Sequence, residues 1–186
     1  MKHGDRVKVV VVGADAQGPE VVRPWVERAG GTYPALVDRH NALGKLLNVK
    51  YVPYVVAVDE EGRLCRGIAP VNIDDAAFRA DLETWATTGT IPPAWREAGG
   101  KAAAAWSETP GGREADARYQ LAVVLLGRGR REEAIAELRR AFRLDPENWI
   151  IRKQLWAVER PEAFYSGPVD YEWQKRRRQE EDAEKQ

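Results

Sequence analysis

"ADARYQLAVVLLGRGRREEAIAELRRAFRLDPEN", residues 115–148, holds two helical patterns separated by a short Gly-Arg break. Leu121, Ala122 and Leu125 fall in the first pattern, Ala134, Leu138 and Ala141 in the second, and Pro146 stops the second helix. Alanines at such spacing let two antiparallel helices approach closely, while the leucines fill the seam between them. The stretch therefore predicts a helical hairpin. One hairpin cannot bury both outer faces, so "NWIIRKQLWAVE", residues 148–159, is expected to supply a third helix. Trp149, Ile150, the Lys153 stem and Trp156 lie along one side of it.

These 34 residues resemble the tetratricopeptide (TPR) repeat, with Leu121-Ala122 at its Leu-Gly/Ala pair, Leu125 in its aromatic slot and Ala134, Leu138, Ala141 and Pro146 at its later positions. Arg118 departs, standing where a large apolar residue is usual. In TPR proteins the first helix of each hairpin lines a peptide groove. The resemblance places Tyr119, Gln120, Val123 and Leu126 there, beside Asp116, without the basic and Asn set that some relatives use to clamp a carboxylate. Two uses of that face stay open: packing against the rest of the chain, and binding a protein.

The N-terminal half alternates strand and helix. "VKVVVVG", residues 7–13, is a β-branched run of the kind that forms a strand buried on both faces. A helix starting near Pro19, with Pro24 able to bend it, carries Val22, Trp25, Val26 and Ala29 at helical spacing up to Gly30-Gly31. "TYPALVD" reads as a short extended segment before a helix from about Asn41 to Asn48. Strands from Tyr54 to Asp59 and from Arg63 to Ile68 are joined by the tight turn Asp59-Glu60-Glu61-Gly62, an antiparallel hairpin. A further helix, with Asn72 or Asp74 as candidate caps, carries Ala77, Phe78, Leu82 and Trp85 and ends at Gly89. The Pro and Gly clusters of "TIPPAWREAGG" and "ETPGGRE" bracket an alanine-rich piece and read as a linker around one short helix.

Residues 7 to about 88 resemble the later two thirds of a thioredoxin-like domain of the redoxin or TlpA type. The residues that carry this are "VVVVGAD", "YPALVD", "ALGKLLNVKYVPYVVAVDEEGRL" and the closing helix to Trp85. The resemblance implies a cis Val52-Pro53 bond, with Val52 and Pro53 as a substrate shelf. The paired cysteines of that family would lie ahead of Val7, where Met1–Arg6 is six mostly polar residues without a cysteine. Without the strand that bears them, either a gap is left in the sheet or the strands at 7–13 and 54–59 pair directly. Cys65, the single cysteine, lies on the hairpin strand from Arg63 to Ile68, at the end that the resemblance places far from the family's active site, and reads as a small half-buried strand residue, with Arg63 and Arg66 keeping a reactive thiol in view.

The expected fold is thus a partial α/β thioredoxin-like domain plus an all-α TPR-like hairpin and extra helix. The divisions fall at 1–89, 90–113 (linker), 114–160 (TPR-like) and 161–186, an aromatic and charged tail. Phe164, Tyr165, Tyr171 and Trp173 should dock onto the protein or a partner, and the end "KRRRQEEDAEKQ" reads as a frayed helix.

Lys+Arg and Asp+Glu both number 29, so no basic field is available to hold nucleic acid. The Val9–Val12 run is far too short to span a membrane or form a signal peptide. One cysteine and two histidines, His3 and His40, fit no zinc spacing, and the Asp59-Glu60-Glu61 cluster reads as a solvent-facing turn rather than a metal site. Neither serine lies in a nucleophile elbow and "GADAQG" lacks the ending of a phosphate loop, so no catalytic residue, cofactor or metal is expected. The expected function is a redox-inactive thioredoxin-like/TPR protein that binds a protein partner or itself. The alternative is a thiol-disulfide oxidoreductase or peroxidase whose catalytic section is missing from this chain. The chain as given reads as cytoplasmic, and as exported if a leader once preceded residue 1.

Overall fold

The computed structural model describes residues 6–49, 52–98 and 110–183. The expectations for Met1–Asp5, for Lys50 and Tyr51, for the alanine-rich piece within 99–109 and for the last three residues lie outside the described residues.

The N-terminal half runs β1 (Val11–Gly13), α1 (Pro19–Arg28), β2 (Ala35–Val37), α2 (Ala42–Leu46), β3 (Val55–Val58), β4 (Leu64–Ala69), α3 (Ala76–Thr88) and α4 (Pro93–Ala98). β1 and β2 pair in parallel, with Val11 opposite Ala35 and Val12 opposite Leu36. β3 and β4 form the expected antiparallel hairpin, with Val55 opposite Ala69 and Val58 opposite Leu64. Among the described residues the two ribbons do not join, so β1 and β3 each keep one unpaired edge. The Val52-Pro53 bond is cis.

The valine run corrects the sequence reading. Only Val11–Gly13 is strand, and Val9, Val10, Val11 and Val12 are all exposed, at 38–50%. A β-branched run becomes a doubly buried strand only when neighbours cover both faces. Here β2 is its one paired neighbour among the described residues.

Short polar side chains set the local turns. The Asp38 carboxylate accepts from the backbone N–H groups of Ala42 and Leu43, both at 2.8 Å, and so completes the first turn of α2. Asn41, buried and left-handed at φ 52°, packs so close to that helix that a Cβ on Gly44 would stand 1.8 Å from its Oδ1. Asp59 turns back on its own hairpin and accepts from the amides of Glu61 and Arg63, so this acid serves the turn. The cap of α3 is Asp75, which accepts from Ala77 and Phe78, whereas Asn72 bonds the Asp74 amide in a preceding turn.

The linker reading is corrected at both ends. Trp95 of α4 is buried against Phe78 and Trp85 of α3, at ring separations of 6.2 and 5.5 Å, so this short helix belongs to the hairpin's packing. Pro110-Gly111-Gly112 forms the start of α5 (Pro110–Gly127), since proline is tolerated in a first helical turn.

α5 and α6 (Arg131–Leu144) form the helical hairpin, and α7 (Trp149–Glu159) packs beside α6. Ala115, Ala122, Ala134 and Ala141 are wholly buried at the contact, with Leu138 filling it. Arg118 is held by Glu114 and by Glu137 of α6 at 2.9 Å, so an ion network stands where an apolar side chain was expected. Asn148 caps α7 by accepting from Ile150 and Ile151, and Arg131 donates to the Val158 carbonyl at its far end. α7 is buried almost all round, at Ile150, Ile151 and Arg152 on one turn and from Gln154 to Val158 on the next.

Of the tail, Phe164, Tyr165 and Trp173 dock onto the protein as expected, and the reading of a frayed charged end is corrected. α8 (Glu162–Tyr165) and α9 (Tyr171–Ala183) fold back on α7, and the charged segment is a packed helix through Ala183. Trp173 meets the buried Trp156 and Phe164 edge to face, at 5.8 and 6.0 Å, whereas Tyr171 is exposed. Glu181, 4% exposed, accepts from the Trp156 indole N–H at 2.6 Å and lies 3.4 Å from the buried Arg152 guanidinium. Arg152 itself stands over the rings of Phe142 and Trp149.

Removing one partner of such a buried pair leaves an uncompensated charge, which costs about 3–5 kcal/mol. Urea denaturation should show a loss of that size for Glu181→Ala and a smaller one for Glu181→Gln, which keeps an acceptor for Trp156. The double variant Arg152→Met/Glu181→Gln should recover most of the loss.

Candidate interaction site

The two halves meet where the turn after β1 enters the helical array. Ala16 is wholly buried among the side chains of the array's core. Its N–H donates to Gln154 Oε1 at 2.7 Å, and the Gln154 amide donates in turn to the Ala14 carbonyl at 3.0 Å. One glutamine on α7 thus satisfies both backbone groups that the buried turn would otherwise leave unpaired. Tyr165 of α8 donates to Asp15 at 2.7 Å and accepts from Gln17 at 2.9 Å, while Arg39 donates to the Ala16 carbonyl. Burial pushes the Asp15 carboxyl above the usual carboxylate range against the bonds from Tyr165 and Gln17. Burial also raises the Tyr119 and Tyr165 phenols, so both remain donors.

The residues expected to line a peptide groove lie at this junction. Tyr119, 1% exposed, donates to the Arg39 carbonyl, and Gln120 donates to the His40 carbonyl at 3.0 Å. Val123 is buried and Leu126 packs partly buried against the same core. Asp116 pairs with Lys45 of α2 at 3.2 Å. That face of α5 is therefore covered by the chain's own segment around 39–45.

A cleft of about 810 Å³ opens beside the junction. The end of β1 with the turn after it and one side of α1 form one wall, through Gly13, Asp15, Val22 and Trp25, and Val52 reaches it from the segment before β3. Trp149, Lys153 and Trp156 of α7, Phe164 and Tyr165 of α8, and Gln174, Lys175 and Arg178 of α9 form the rest. Of the two shelf residues, Val52 lines this cleft and is exposed, and Pro53 beside it is exposed as well. Lys153 was legible as part of an amphipathic face. Tyr165 was legible only as one of the docking aromatics; Gln154 and Asp15 had no such signal, because each is a single polar residue whose partner lies far away in sequence, and Gln174 had none either.

Cys65 lies elsewhere, under α3. It is buried, burial raises its thiol above the usual range, and its Sγ donates to the Arg63 carbonyl at 3.8 Å. Among the described residues there is no group of three or more His, Cys, Asp or Glu side chains placed to hold a metal, and no helix long and apolar enough to cross a membrane.

The family model of the tetratricopeptide repeat matches residues 115–158, from Ala115 in α5 to Val158 in α7. No curated protein and no solved structure matches the chain. TPR repeats generally mediate contacts between proteins, and the match supports an interaction role for the helical region.

A thiol that is both buried and raised in pKa reacts slowly, because the thiolate is the nucleophile. With a disulfide reagent at pH 8, Cys65 in the folded protein should react at least roughly a hundredfold slower than in guanidinium, and Cys65→Ser should leave the fold intact.

Proposed function

We propose that this chain is a protein-interaction and assembly module. The TPR-like helices hold the α/β half by its loops and leave the strand surface of that half free for a protein partner. The observation that carries this reading is the distribution of exposed apolar side chains. Val9, Val10, Val11, Val12, Leu36 and Val58 are all exposed on or beside the two ribbons, and Leu46 of α2 is 78% exposed. Large apolar side chains exposed next to unpaired strand edges are what a partner protein covers.

The order of β1, α1, β2, α2, the β3–β4 hairpin and α3 supports the finer reading, a thioredoxin-like half that does no redox chemistry. The setting of Cys65 favours that same reading, since a buried, raised thiol is poorly suited to exchange. The covered face of α5 adds that the array's recognition surface is engaged within the chain.

Val10→Lys/Val12→Lys places two charges on the exposed run without entering the buried core. Proteins recovered from a lysate on the wild-type chain, once purified, should bind the double variant at least roughly tenfold more weakly in a direct titration. Equal affinity for both chains would remove the strand surface from the interaction.

A further inference from the structure

We propose that the cleft between α1, α7 and the α8–α9 segment binds a small amphipathic carboxylate, with its apolar body between the aromatic walls and its carboxylate on Lys153, Lys175 and the Gln174 amide. This inference is independent of the strand surface proposed for protein partners.

The volume and lining of the cleft set the size and body of the ligand. About 810 Å³ lies within the range of small-molecule sites, and such sites combine mostly apolar walls with a few polar groups. Trp25, Trp149, Trp156 and Phe164 supply the walls. Tyr171, Gln174, Lys175 and Arg178 line the cleft together because their spacing puts them on one face of α9.

The polar groups left unpaired set the head group. Gln174 is 8% exposed, and its Nε2, a donor, has no hydrogen-bond partner. A buried donor without an acceptor is costly and rare, so an acceptor supplied by a ligand would satisfy it. Lys153 is half-buried with no carboxylate partner among the described residues, and burial lowers its pKa, which an anion beside it would reverse. Lys153, Lys175 and Arg178 face one acid in the lining, Asp15, which Tyr165 and Gln17 already engage. Arg178 is itself taken up by Asp182 and the Trp149 ring, which leaves the two lysines and the amide for one anion.

An extended peptide fits less well. The Gly13 and Ala14 carbonyls and the Ala16 amide, the backbone groups of the β1 end, are already bonded to Asp38 and Gln154. The β1 end of the cleft therefore offers none of these three groups to a peptide backbone, while the side chains of the cleft offer donors for one head group.

Isothermal titration of the full chain with sodium decanoate, well below its micellar range, tests the proposal against 1-decanol, which has the same body without the charge. Saturable one-to-one binding of decanoate is expected, with decanol at least roughly tenfold weaker. Lys153→Met keeps the apolar stem and should weaken decanoate about tenfold while leaving decanol unchanged. Lys175→Glu, on an exposed position, should do the same and serves if the first variant does not fold. Absence of saturable binding up to millimolar decanoate, equal affinity for decanol, or unchanged decanoate affinity in the folded variants would overturn it.

Discussion

The buried turn Ala14–Gln17 is the constraint on which the rest of the structure depends. Ala16 is wholly enclosed by the helical array, and its backbone polar groups had to find partners there or forfeit their hydrogen bonds to water. Gln154 meets both the Ala16 amide and the Ala14 carbonyl, and Tyr165 and Arg39 hold the flanking groups. The array is thereby tied to the α/β half at a defined register. A purely apolar contact would not specify that register, because hydrophobic burial is not directional.

α7 is the element that needs this arrangement most. A helix buried nearly all round cannot stand at the end of an array, and two different parts of the chain cover it. The turn after β1 covers one side, and α8 and α9 cover another, through Trp173, Phe164 and the Glu181 pair with Trp156 and Arg152. The C-terminal helices thus act as the cap that a short repeat array requires.

What was legible in the sequence follows from periodicity. The alanine and leucine spacing of residues 115–148 identified the hairpin, because close helix packing needs small residues at fixed intervals. The β3–β4 hairpin was legible for a similar local reason, its short turn. The Val9–Val12 run was misread because composition reports what a strand can bury, not whether a neighbour is present. The Pro110-Gly111-Gly112 cluster was misread because the same residues that break helices also start them. The hold of Gln154 and Tyr165 on the turn was hidden, since their bonds join residues more than a hundred positions apart, and of the cleft's polar groups Lys153 alone was legible, from the apolar face of its helix.

Native-state hydrogen exchange at the Ala16 amide tests the central claim most directly, because this N–H is buried and bonded to a side chain of α7. Docking of the turn predicts protection comparable to the amides of α7, and a loss of at least roughly tenfold in Gln154→Ala without a matching loss across the α5–α6 hairpin. Exchange of Ala16 at the rate of an exposed loop amide would contradict it.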